Sequence, residues 1–214
     1  MKKLFITIVF VAAAMFANAQ FYVGGSLGLG FGSDKTTYDG TTTTTSKTFD
    51  FNFDPNIGFM FSDNMGAGLE INLGFGKDTT PKTDFIPEVT GKHTTFGITP
   101  YFRYVFAEVD NFKFYADAKV NFSTTKYKNV NDGTTTDGNK VMNLGVNVVP
   151  GFAYNFTDHI SMNAEINILK LGWNMTKTTT PKDDADKETV YKESDFGFGI
   201  NEPTPIVVGF FYTF

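Results

Sequence analysis

The chain contains no cysteine. That excludes a disulfide framework and an N-terminus anchored through a lipidated cysteine. Beyond the first twenty residues, no segment offers the roughly 20 uninterrupted apolar residues that a membrane helix requires. Positive charge is also short, with 18 Lys and Arg against 23 Asp and Glu. Removing the first nineteen residues would take away two lysines and no acid, moving the formal net charge from −5 to −7. Such a balance argues against nucleic acid as a partner. Histidine occurs twice and arginine once, as Arg103.

What is abundant is Phe (25) and Gly (21), and their placement is ordered. Lys2 and Lys3 precede an apolar run from Leu4 to Phe16, and Ala17-Asn18-Ala19 has the A-x-A form of a cleavage site. Residues 1–19 are therefore expected to be a signal peptide, and residues 20–214 one mature domain.

Apolar residues then recur at every second position, the period of a strand with one face in an apolar medium. The segments run Phe21–Phe31, Phe49–Phe61, Ala67–Phe75, Phe96–Phe106, Phe114–Phe122, Met142–Phe156 and Met162–Ile168. The phase blurs between Leu169 and Trp173, which suggests a bulge. An eighth segment keeps one parity from Phe196 to Ile200 and again from Ile206 to Phe214.

Short turns are expected at Ser62–Met65, Ala107–Asn111 and Thr157–His159. Long polar loops are expected at Ser33–Lys47, Lys77–His93, Thr124–Lys140 and Asn174–Ser194. Aromatic residues gather on the apolar face near both sets of connections, with Leu27, Ile71, Ile98, Val146 and Ile166 between them. Two aromatic girdles about an aliphatic band suit two membrane interfaces. A soluble lipocalin-like barrel would turn the same face inward. An eight-stranded interior cannot hold some twenty Phe and Tyr.

The expected fold is thus all-β, an eight-stranded antiparallel up-and-down transmembrane barrel. With its signal sequence, loop asymmetry and closing run Phe210, Tyr212 and Phe214, the chain resembles the OmpA/OmpX-type small outer-membrane barrels. The resemblance implies residence in the bacterial outer membrane after export through the periplasm. It also implies insertion by the barrel-assembly machinery reading Phe210, Tyr212 and Phe214. Outer-membrane lipid and lipopolysaccharide become the expected surroundings, with an extracellular ligand for the loops a further expectation. The peptidoglycan-binding domain of some relatives is not expected after Phe214.

Glu70, Arg103, Asp117, Lys119 and Glu165 all have inward parity at similar heights, with small residues such as Gly24, Ser26, Gly151 and Gly209 between them. Arg103 suits a bidentate carboxylate pair. These residues are read as a salt-bridge network across the lumen, joined higher up by Asp50, Asp54, Asn72 and Asn147. It serves as packing or, alternatively, as a gate.

No catalytic residue, cofactor site or metal site is expected. His159 lies in a turn, and His93 has only Thr94 and Thr95 beside it, with no serine. Asp183, Asp184 and Asp186 could bind a divalent cation, but set between Lys182 and Lys187 they read as a solvated loop tip. The Gly24–Gly32 run has no helix after it to form a phosphate site. The reading is a non-enzymatic structural or surface-interaction protein, or alternatively a narrow channel.

Overall fold

The computed structural model describes residues 20–38, 41–82, 87–131, 133–166, 169–181, 188–200 and 207–214. Cleavage residues Ala17 and Ala19, the Asp183, Asp184 and Asp186 cluster, and Ile168 and Ile206 lie outside them.

Ten strands form in chain order: β1 (Gln20–Tyr38), β2 (Thr41–Met60), β3 (Met65–Thr80), β4 (Val89–Val109) and β5 (Phe112–Asn131). They continue as β6 (Thr134–Asn155), β7 (Ile160–Glu165), β8 (Leu169–Thr179), β9 (Val190–Ile200) and β10 (Val207–Thr213). β-branched and aromatic residues are frequent in them, as in Val207–Thr213, and a pleated, half-covered surface favours these types.

All neighbours pair antiparallel. The order β5-β4-β3-β2-β1-β10-β7-β6 returns to β5 through the β5–β6 ladder, which closes a ring of eight. β8 and β9 extend the wall above β7 and β10, with β8 on β6 and β9 on β8. The first and last strands meet from Tyr22↔Thr213 to Ser26↔Gly209. Among the described residues, that ladder is not continued between β1 above Ser26 and β9.

The irregularity near Leu169 has a definite form. Gly151 pairs with Glu165, and Asn147 with Gly172. Four steps along β6 therefore face seven along its partner, and the odd difference exchanges the inward and outward parities. Asn163 and Glu165 line the lumen on odd numbers, whereas Asn174 lines it on an even one.

The long polar connections differ from expectation. Most of each one is strand: β1 and β2 approach to Tyr38 and Thr41, and β5 and β6 to Asn131 and Thr134. The Thr41–Thr45 and Thr134–Thr136 runs, read as loop, belong to β2 and β6. Thr is a strong strand former, and paired hydroxyls such as Thr37–Thr42 (2.9 Å) join adjacent strands. The hairpins thus rise above the membrane as continuations of the wall. On the opposite side, β4 reaches Val109, which narrows the expected Ala107–Asn111 turn to Asp110-Asn111. Asp110 takes φ 53° there, a left-handed conformation that Asp tolerates better than most residues.

The faces are inverted relative to a water-soluble protein. Outward Phe198 is 84% exposed and Phe31 77%, while inward Asp117 is fully buried. Only an apolar surrounding medium reconciles that exterior with a charged interior. Ile98, in the aliphatic band, therefore should not accept a charge. Ile98→Lys is expected to cost about 2–4 kcal/mol in denaturant unfolding from lipid vesicles, and Thr94→Lys, above the aromatic girdle, about 0–1 kcal/mol.

Candidate functional site in the lumen

The lumen is built in tiers. At the end of the short turns, three tyrosines point inward from β1, β4 and β5, each beside a glycine on the next strand: Tyr22↔Gly58, Tyr101↔Gly68 and Tyr115↔Gly151. A methyl group on Gly151 would lie 2.6 Å from Tyr115 Cζ, so glycine is what lets the ring lie flat against the wall. Phe211 covers Gly24 in the same way and meets Tyr22 edge-on at 6.0 Å.

Within this aromatic floor sits one ion pair. Arg103 Nε donates to Asp117 Oδ1 at 2.8 Å, and Nη2 to Oδ2 at 2.7 Å. The guanidinium carbon lies 3.8 Å above the Tyr115 ring centroid, a close cation–π contact. Across the lumen, Tyr101 Oη donates to Asn56 Oδ1 at 2.8 Å. Its single proton is thereby used, so Tyr22 is the donor in the 2.8 Å Tyr22–Tyr101 bond.

The next tier is centred on Lys119. Its ammonium donates to Glu165 Oε1 and Oε2 at 2.6 and 2.8 Å, and to Glu70 Oε2 at 3.4 Å. Asn72 Nδ2 links Glu70 Oε1 (2.6 Å) to Asp54 Oδ1 (3.2 Å), and Ser26 Oγ donates to Asp54 Oδ2 at 3.3 Å. Asn147 Nδ2 is shared between Asn121 Oδ1 and Asn174 Oδ1, at 3.0 and 3.2 Å. Above the floor these groups line a cavity of about 670 Å³. Three carboxylates (Asp54, Glu70, Glu165) face one ammonium there, whereas Asp117 neutralises Arg103 below. Near the floor, buried Tyr115 Oη and Asn163 Oδ1 have no partner among the described residues.

The five charged residues singled out from the sequence thus fall into two separate clusters. Arg103 and Asp117 seal the floor, and Glu70, Lys119 and Glu165 bridge the space above. Asp54, Asn72 and Asn147 join the upper tier. Asp50 stands higher, 3.4 Å from His93 Nε2. His93 faces inward from β4 and not from a loop, with its ring 5.7 Å from Tyr127. His159 stacks on Tyr212 (5.6 Å, 17°) and bonds the Thr213 carbonyl through Nδ1 at 2.8 Å. Phe210, Tyr212 and Phe214 lie on the outer face of β10 and beyond its end. No group of three or more His, Asp or Glu side chains among the described residues is placed to hold a metal ion.

The inward tyrosines escaped the sequence reading, which treated Tyr together with Phe as lipid-facing bulk. Their signal was the doublets Phe21-Tyr22, Tyr101-Phe102 and Phe114-Tyr115, in which Phe takes the outward parity and Tyr the inward one.

A girdled apolar exterior around a charged lumen defines an integral β-barrel of the bacterial outer membrane. The chain belongs to the outer membrane protein beta-barrel domain family, whose model matches residues 4–201. It is 25% identical over 182 residues to an uncharacterized protein of Haemophilus influenzae, covering 82% of this chain and 93% of that one. Its fold is similar to that of the outer membrane protein OprG from Pseudomonas aeruginosa (TM-score 0.52, 16% identity, 92% of this chain and 95% of OprG). A major outer membrane protein from Thermus thermophilus aligns at TM-score 0.46 and 13% identity, over 92% of this chain and all of that one. The family and the OprG likeness agree with a small barrel of the OmpA/OmpX type.

Because Asp117 has no water to turn to, Arg103→Ala is expected to cost about 3–5 kcal/mol in unfolding free energy. Arg103→Met with Asp117→Leu should cost less than either single change, since no charge is then left unpaired. Equal losses in the single and double variants would show that the pair is not the element holding the floor.

Proposed function

We propose that this protein is a structural and surface-interaction component of the outer membrane, a sealed barrel that holds tall hairpins outside the cell. The observation that carries the reading is the closed floor, where Arg103, Asp117 and the three tyrosines occupy the lumen. An eight-stranded barrel filled in this way conducts little. Strands β1 to β6 run for 16 to 22 residues, although spanning takes about 9–11. The excess forms stiff Thr-rich and charged hairpins, suited to meeting an extracellular ligand or bracing the envelope.

In this reading residues 1–19 direct export and are removed. The barrel-assembly machinery engages the outward Phe210, Tyr212 and Phe214, and lipid and lipopolysaccharide surround the finished wall. Enzymatic activity, a cofactor and nucleic-acid binding play no part.

The cavity above the floor favours a second reading, a narrow channel for ions or small solutes in which the lumenal charge network acts as gate. The two separate cleanly. Folded protein in a planar bilayer is expected to be silent. Joining Tyr127 to Gly138, which shortens the β5–β6 hairpin, should leave heat-modifiable gel mobility unchanged while reducing cell-surface adherence at least severalfold. Discrete openings that ignore this trimming but change in Glu70→Gln, Arg103→Ala and Lys119→Gln would establish the channel instead.

A further inference from the structure

The outer face carries a feature that the lumen does not explain. Just above the upper aromatic girdle, lysines stand directly opposite one another on adjacent strands. Lys77 pairs with Lys92, and Lys92 with Lys128, forming a row across β3, β4 and β5. Lys126 pairs with Lys140 across β5 and β6, and Lys177 with Lys192 across β8 and β9.

All seven have outward parity. Lys77 continues the face of Phe75, two residues below it on β3. Lys92, Lys126, Lys177 and Lys192 stand four residues above Phe96, Phe122, Trp173 and Phe196 on their strands. That places these five ammonium groups about 7–13 Å along the strand above the aromatic ring, at the depth of lipid headgroups, while Lys128, six residues above Phe122, ends the row about 20 Å along its strand. Six of them are exposed and Lys177 is half-buried.

Directly opposed like charges are unfavourable on a sheet, and no ion pair among the described residues relieves them. Among the described residues, none of these ammonium groups has a carboxylate within 4.0 Å. One acid shares the lysines' face, since Asp137 stands opposite Lys128 across β5 and β6; the others at this height have the opposite parity, Asp78 following Lys77 and Glu193 following Lys192. At this height, Asp137 apart, a chain with an overall excess of acid has sorted its charges, with lysines toward the lipid and carboxylates toward the lumen. Such sorting, on the side of the tall hairpins, calls for an anion supplied by the membrane.

We propose that this lysine belt, and above all the Lys77–Lys92–Lys128 row, binds the phosphate groups of phosphorylated lipid headgroups in the outer leaflet. Strands lie about 4.8 Å apart, so one phosphate can meet two neighbouring ammonium groups, and a bis-phosphorylated headgroup can engage the whole row. The inference rests on the hairpins facing outward from the cell, as the proposed function has it.

Two measurements keep the inference and that orientation apart. The chain has no native cysteine, so Thr135→Cys gives a single reporter at the β5–β6 hairpin. Labelling by a membrane-impermeant maleimide on intact cells is expected, and its failure would overturn the orientation. Native mass spectrometry of folded protein from micelles doped with bis-phosphorylated lipid A or with phosphatidylcholine then tests the row. Wild type should retain lipid A at least tenfold more than the Lys77→Gln/Lys92→Gln/Lys128→Gln variant, with little phosphatidylcholine on either. Lys113→Gln, beside Glu108 near the periplasmic turn, should behave as wild type.

Equal retention by the triple variant, with labelling intact and gel mobility unchanged, would overturn the lysine assignment alone. Displacement of lipid A by an equimolar amount of inorganic phosphate would overturn the lipid as occupant.

Discussion

A strand in hydrocarbon cannot send its amides to water, so both of its edges need another strand. The rest of this molecule follows from that constraint. It forces eight strands into a ring closed by β5–β6 and β1–β10, and it fixes alternate residues on opposite faces. It also sets a diameter just wide enough for side chains. The constraint relaxes above the girdles, where water returns and the β1 and β9 edges are not laddered to each other among the described residues.

The narrow ring decides how charge is handled inside. Bare charges in so small a lumen would be costly, and each tier meets this in its own way. Asp117, fully buried, is held by a two-pronged guanidinium that itself rests on Tyr115. Higher up, where the wall opens into a cavity, Lys119 is shared by two glutamates, Asn72 donates to both Asp54 and Glu70, and Ser26 donates to Asp54. Room for the large rings comes from glycines on neighbouring strands, so the Gly content serves close packing across the ladder.

Much of this was legible in the sequence because period-two alternation carries the inward or outward sense of every residue in a strand. Parity alone placed Glu70, Arg103, Asp117, Lys119 and Glu165 in the lumen. It could not show that Arg103 and Asp117 form a pair apart from Lys119 and its two glutamates, since that depends on strand stagger and side-chain reach. The phase change before Trp173 was visible as a blur, and its origin in three extra residues needed the register. Thr-rich segments misled for a different reason. Polarity suggested loop, but threonine pairs readily across strands, and a hairpin already laddered in the membrane continues easily into water.

The floor has one further consequence, which concerns time. Tyr22 comes from the first strand of the ring and Phe211 from the last, and the Tyr22–Tyr101 bond joins residues 79 positions apart. Until β1 meets β10, Tyr22 has no Phe211 to lean on and the aromatic layer has a missing sector. The aromatic layer is therefore complete only once β1 and β10 have paired. The floor is thus assembled by the same step that closes the ring.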